Sequence, residues 1–197
     1  LSQFKRWYSQ AGTPRLAVSE HFDAQQGTYS LTFAQSCPAT PDKVEKLPFV
    51  IPVELGLLDA QGGEIALQLA GETVASGTSR VLSVTQAEQT FTFVGVNEKP
   101  LPSLLRGFSA PVKLSFDYSR DQLMFLMQHD SDGFNRWDAG QQLSVQVLQE
   151  LIGQHQRGEA LVMDQRLVEA LRTVLGNDQL DQAMVAEMLS LPGEAYL

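Results

Sequence analysis

The sequence has one cysteine, three histidines and no lysine beyond Lys113. A single thiol, Cys37, permits no internal disulfide and no cysteine-based metal cluster. It sits in Ser36-Cys37-Pro38 without a basic neighbour, so it reads as a small side chain at a strand end and not as a nucleophile. A lone cysteine suits a reducing compartment, and the cytoplasm is the expected location. No apolar run approaches the roughly 18 residues of a membrane helix. Phe49 to Leu58 is interrupted by Pro52, Glu54 and Gly56, and Lys5-Arg6 leads into Trp7-Tyr8-Ser9-Gln10, which is not a signal peptide.

Positive charge is scarce. The net charge is −9, with 9 basic against 11 acidic residues through Tyr118, and 5 arginines against 12 acidic residues from Ser119 onward. Neither half has the clustered cations that displace counterions from nucleic acid or hold an anionic membrane, so neither partner is expected. The acidic second half reads as a solvated surface.

Catalytic signatures are also lacking. None of His21, His129 and His155 is followed by Glu, and no two share a helix face at zinc-ligand spacing. There is no Gly-x-Ser-x-Gly elbow, phosphate loop or dinucleotide fingerprint. Asp130-Ser131-Asp132-Gly133 begins like a calcium loop, but Asn135 stands where the glycine belongs and Gln141 where the glutamate belongs. Asp132 reads instead as a helix cap. Glu150 and Glu159 read as solvated carboxylates, and Phe91, Phe93, Phe116, Phe134 and Trp137 as core. Catalytic, cofactor-binding and metal-binding residues are therefore expected to be none, and no cofactor is expected in this chain.

Against these absences, 43% hydrophobic and 19% charged residues describe a chain able to bury a core. Period-two runs dominate the first part: Leu16-Val18, Tyr29-Leu31-Phe33, Ile51-Val53-Leu55-Leu57, Ile65-Leu67-Leu69, Leu82-Val84, Phe91-Phe93 and Val112-Leu114-Phe116. Glu20 breaks the first run. Turn residues such as Gln25-Gln26-Gly27 and Gln61-Gly62-Gly63 separate the runs. They predict an antiparallel, immunoglobulin-like β-sandwich of about seven strands over residues 1–118. Pro52 places its strand at an edge or bulge, and the Pro-rich stretch 97–111 reads as a loop pinned against a neighbour. The period then shifts. Ser119 and Gln122 form a capping box, Asp132 and Asp164 are further caps, and apolar residues recur at three- and four-residue steps. Residues 119–197 are thus expected to form an α-helical bundle or the first turns of a solenoid.

The chain opens at Leu1 and stops directly after a helix, so it is expected to be a segment of something longer. Exposed apolar faces at such an end would favour self-association. The residues alone leave three functions open: a segment of a larger enzyme, a free-standing β-sandwich binding module with a helical appendage, or a hydrolase with a dispersed Ser-His-acid triad.

Three blocks narrow this choice. Phe4-Lys5-Arg6-Trp7-Tyr8-Ser9-Gln10-Ala11-Gly12-Thr13-Pro14, Leu101 to Leu114, and Phe134-Asn135-Arg136-Trp137-Asp138-Ala139 preceded by Leu123 to His129 resemble bacterial aminopeptidase N. That family consists of zinc metallopeptidases of the thermolysin-like (gluzincin) clan. The resemblance spans nearly the whole chain and implies the family's small β-sandwich plus the start of its C-terminal helical domain. It implies a parent that uses zinc and takes peptides as substrates. It further implies intramolecular contacts with a catalytic domain and with further helices, which would limit access to the active site. The family's His-Glu-x-x-His and Gly-x-Met-Glu-Asn motifs are not present, so no catalytic residue carries over, and no catalytic role falls to Tyr8, Tyr29, Tyr118 or Tyr196. Trp7 and Tyr8 are candidates for packing against the catalytic domain or against the sandwich end.

Overall fold

A computed structural model describes residues 2–41, 45–178 and 180–197. Contacts divide the chain into two units, Leu1–Asp117 and Tyr118–Leu197.

The first unit opens with a one-turn helix, α1 (Arg6–Ser9), followed by β1 (Arg15–Asp23), β2 (Thr28–Ser36), β3 (Ile51–Leu58), β4 (Ser79–Val84), β5 (Glu88–Val94), β6 (Leu101–Leu104) and β7 (Lys113–Ser115). One sheet has the order β5-β2-β1-β7 and the other β4-β3-β6. Alternation works as expected. Leu16 and Val18 of β1, Tyr29, Leu31 and Phe33 of β2, and Ile51, Val53, Leu55 and Leu57 of β3 meet in one core. On the opposite face of β2, hydroxyl pairs Ser30–Thr92 and Thr32–Thr90, each at 2.8 Å, bind β2 to β5. The β1–β2 turn closes because the Asp23 carboxylate accepts the N–H groups of Gln25 and Gln26 while Gly27 takes φ +61°. Glu20, which breaks the β1 pattern, accepts the Tyr29 hydroxyl at 2.6 Å and pairs with Lys99 at 2.6 Å.

Four features depart from the sequence pattern. The Ile65–Leu69 alternation forms no ladder strand. It is held by single bridges at Glu64 and Leu69 and by bonds between Leu67 and the 76–77 turn, with Leu67 fully buried. Glycine-containing turns on both sides leave it too short to pair continuously. Leu101–Leu104, expected as loop, is strand β6, an edge strand where Pro102 is tolerated. The strand carrying Pro52 is central, not an edge. Its partner β6 covers only Leu55–Leu58, however. Glu54 donates its N–H to Ser109 Oγ at 2.9 Å, away from β4, and Pro52 lies two residues back on that same uncovered side. Finally, β7 pairs with β1 in parallel, the one parallel contact among the described strands.

Between β6 and β7 the chain turns sharply, with φ +56° at Leu105, +58° at Gly107 and +52° at Phe108. This turn lays the Arg106 side chain over β3. Arg106 is 4% exposed, and its guanidinium donates to Ser103 Oγ and Glu64 Oε1, both at 2.8 Å. A Cβ on Gly56 would stand 2.3 Å from Arg106 Cζ, so only glycine fits beneath it.

The second unit contains α2 (Arg120–His129), α3 (Gly133–Gln156), α4 (Gln165–Leu175) and α5 (Gln182–Leu189). Ser119 and Gln122 form the full capping box, and Asp132, Asp164 and Asp181 cap the next three helices. Leu123, Leu126 and Met127 of α2, Ala139, Leu143 and Val147 of α3, and Leu167, Ala170 and Val174 of α4 are buried. Arg136 donates to the Met127 and Gln128 carbonyls, occupying the open C-terminal end of α2. Arg120 pairs with Glu150 at 2.6 Å and Asp164 at 2.8 Å, and Arg166 with Asp164 at 2.9 Å, so one network joins α2, α3 and α4. Arg166 first, and Arg120 after it, hold the Asp164 carboxyl well below the usual carboxylate range despite its burial.

Gly56→Ala is expected to lower the unfolding free energy of the sandwich by about 3 kcal/mol in urea titration, because a guanidinium tied to both Ser103 and Glu64 cannot swing aside without breaking a buried pair. For Asp164 the folded pKa is depressed. Its contribution to stability is present above the unfolded value of about 3.9 and is lost as pH falls from there towards the folded value. Circular dichroism unfolding of the helices across that acidic range should show a steeper decline for the native chain than for Asp164→Asn, which retains a capping side chain.

Candidate functional site

The residues weighed for chemistry are divided between the two units. His21 is exposed on β1, His129 is exposed at the end of α2 with its ring 4.5 Å from Phe125, and His155 is exposed near the end of α3. Among the described residues, no three His, Cys, Asp or Glu side chains converge as metal donors. That donor set does not fit a zinc site. Cys37 is half-buried beneath Gly12, where a Cβ would come within 2.9 Å of Sγ, and lines a cavity of only about 90 Å³ with Lys46 and Phe49. Asp130 Oδ1 accepts the Asp132 N–H at 3.0 Å, and Asp132 Oδ1 accepts the Asn135 N–H at 2.9 Å. The acidic turn is thus the entry to α3, with Asp132 its cap.

The two aromatics of α1 differ in their surroundings. Trp7 packs on its own sandwich: Nε1 donates to the Val50 carbonyl at 2.8 Å, and the ring lies 4.6 Å from Phe49. Gln3 and Arg6 also donate to Pro48, and Gln10 to Leu47, so α1 is fastened along the 47–50 segment. Tyr8 faces outward, 85% exposed, edge-on to the half-exposed Phe4 at 6.4 Å.

A groove of about 440 Å³ runs along α3, and the sequence reading did not find it. Trp137, Asp138, Gln141, Gln142 and Val145 form one wall and Pro192 the other. Gln141 Nε2 donates to the Ser190 carbonyl at 2.8 Å, fixing the segment after α5 at the groove edge. Gln142 Nε2 donates to Asp138 Oδ2 at 2.7 Å, one turn along the helix. Burial pushes the Asp138 carboxyl above its ordinary value, and the Gln142 bond opposes this only in part. Trp137, read from the sequence as core, is half-buried and lines the groove instead. The i, i+4 pair Asp138–Gln142 beside it is the signal that could have marked this face. No helix among the described residues is long and apolar enough to cross a membrane.

Residues 12–117 match the family described as a domain of unknown function, DUF3458, with an Ig-like fold, and residues 120–197 match DUF3458_C, described as ARM repeats. Aminopeptidase N of Escherichia coli strain K12 is 45% identical over 192 residues, 98% of this chain and 22% of that protein. Aminopeptidase N of Haemophilus influenzae is 43% identical, again over 98% of this chain and 22% of the relative. Aminopeptidase N of Caulobacter vibrioides is 38% identical over 100% and 21%. A solved aminopeptidase A of Legionella pneumophila, in complex with aspartic acid, is 30% identical with a TM-score of 0.77, covering 98% of this chain and 20% of that one. The chain spans about a fifth of the length of the curated relatives it matches. The resemblance drawn from the three sequence blocks and the β-then-α fold class are both borne out.

Asp138 carries a charge that burial disfavours in the folded state. Asp138→Asn keeps an acceptor for Gln142 and removes that charge, so the helices of the variant should unfold at higher urea concentration than the native chain at neutral pH.

Proposed function

Since the chain belongs to the DUF3458 family with its Ig-like fold, we propose that it is a non-catalytic segment of a zinc-dependent aminopeptidase that removes N-terminal residues from peptides. The observation that carries this reading is the match itself. Identity of 38–45% runs along 98–100% of this chain yet spans only about a fifth of proteins named aminopeptidase N. In this reading the zinc ligands and catalytic residues lie in the remaining four-fifths. The scattered donors of this chain support that assignment, because no three of them converge among the described residues.

The sandwich, with its boundary at residues 118 and 119, acts as the spacer between a catalytic domain and a helical domain that limits substrate access. The outward pair of Tyr8, on the helix fastened by Trp7, and Phe4, in the turn just before it, is the surface offered to the catalytic domain. The parent is cytoplasmic in this reading, consistent with the lone half-buried thiol of this chain.

The test is to assay the isolated chain and its parent side by side on an aminoacyl chromogenic substrate, with zinc content measured for each. The parent should turn over substrate and hold zinc, and the isolated chain should do neither. Zinc-dependent turnover by the isolated chain would overturn the proposal.

A further inference from the structure

We propose that the α3 groove is a docking site for an arginine side chain presented by an extended polypeptide segment, with Asp138 as its counter-ion and Trp137 as its stacking surface. The inference goes beyond the peptidase reading and does not rest on it.

Size is the first argument. A groove of about 440 Å³ falls within the roughly 300–1,000 Å³ of ligand pockets, and its lining mixes an aromatic ring, Val145 and Pro192 with a few polar groups. Charge is the second. Among the described residues Asp138 is the one ionisable group lining the groove, and it is half-buried. It accepts a hydrogen bond from a neutral amide, Gln142 Nε2, and no cation pairs with it among the described residues. A buried carboxylate without a cation is a cost that a matching positive group removes.

The third argument selects the cation. A planar guanidinium can bond a carboxylate through its donor fork while its face lies on an aromatic ring, and it sheds water more readily than an ammonium. Trp137 and Asp138 supply that pair of surfaces on one groove wall. The apolar lining receives the side chain's methylene stem. Gln141, bonded to the Ser190 carbonyl, keeps the far wall in place, so the groove is preformed.

The experiment uses the whole 197-residue chain, labelled with ¹⁵N, and follows its two indole N–H signals, from Trp7 and Trp137. The probe is acetyl-Ala-Arg-Ala-amide, with the citrulline peptide as its uncharged isostere and agmatine as a free alkylguanidinium. The arginine peptide should shift the Trp137 signal saturably, leave Trp7 unmoved, and bind about tenfold more tightly than the citrulline peptide. Asp138→Asn should abolish that preference. Glu169→Gln, which removes an exposed carboxylate on α4, should retain it and so separates the groove from general acidity. Equal binding of the citrulline peptide overturns the proposal in the native chain alone, without reliance on any variant. A preference unchanged in Asp138→Asn, or lost equally in Glu169→Gln, also overturns it. Binding of agmatine as tight as that of the peptide overturns docking of a polypeptide segment in favour of a small-cation site.

Discussion

The Arg106 guanidinium lies against the bare backbone of Gly56, and much of the sandwich is arranged around that contact. Removing a cation from water costs several kcal/mol unless its donors are met. Ser103 and Glu64 meet them from two separate stretches of chain, the strand just before the arginine and the turn after β3. The left-handed backbone at Leu105 and Phe108 costs about 1–2 kcal/mol at each residue, and it is this turn that aims the side chain back over the sheet. The same turn delivers Ser109 to the N–H of Glu54, completing the part of β3 that β6 does not reach. Glycine at 56, arginine at 106 and the tight turn are therefore one device. It closes the three-stranded sheet without a fourth strand.

The helical unit holds together by a different logic. Its helices begin on side-chain caps, and arginines then join one helix end to the next. Arg136 fills the carbonyl end of α2 from within α3, and Arg120 reaches from the start of α2 to the cap of α4. Cations thus sit where helix termini and capping carboxylates leave negative charge. The groove wall departs from this pattern, since among the described residues Asp138 is bonded by a neutral amide and by no cation.

How much of this could be read from sequence depended on the range of the interaction. The caps at Ser119, Asp132 and Asp164 were legible because capping is settled within three or four residues. Strands β1 to β5 were legible because each has one face in the core. The Ile65–Leu69 run has the same period and still forms no ladder, because pairing requires a neighbour at the right register and flanking turns deny it one. Leu101–Leu104 was hidden for the opposite reason. All four residues are buried, so alternation is erased, and Pro102 argues for a loop unless its edge position is known. The groove was invisible because Pro192 and Trp137 meet across more than fifty positions of chain. A tryptophan at helical spacing looks the same in sequence whether it faces a core or a cleft.

The parallel pairing of β1 with β7 has a mechanical consequence. Arg15 lies opposite Lys113 and Ala17 opposite Ser115, so the first and last strands run side by side in the same direction. Tension applied between the segment before β1 and the segment after β7 pulls these strands along their length in opposite senses. The hydrogen bonds between them are then loaded together in shear and do not open one by one as in a peeled hairpin. The short ladder works as a clasp, resisting stretching along the chain more strongly than its three residue pairs would resist unzipping.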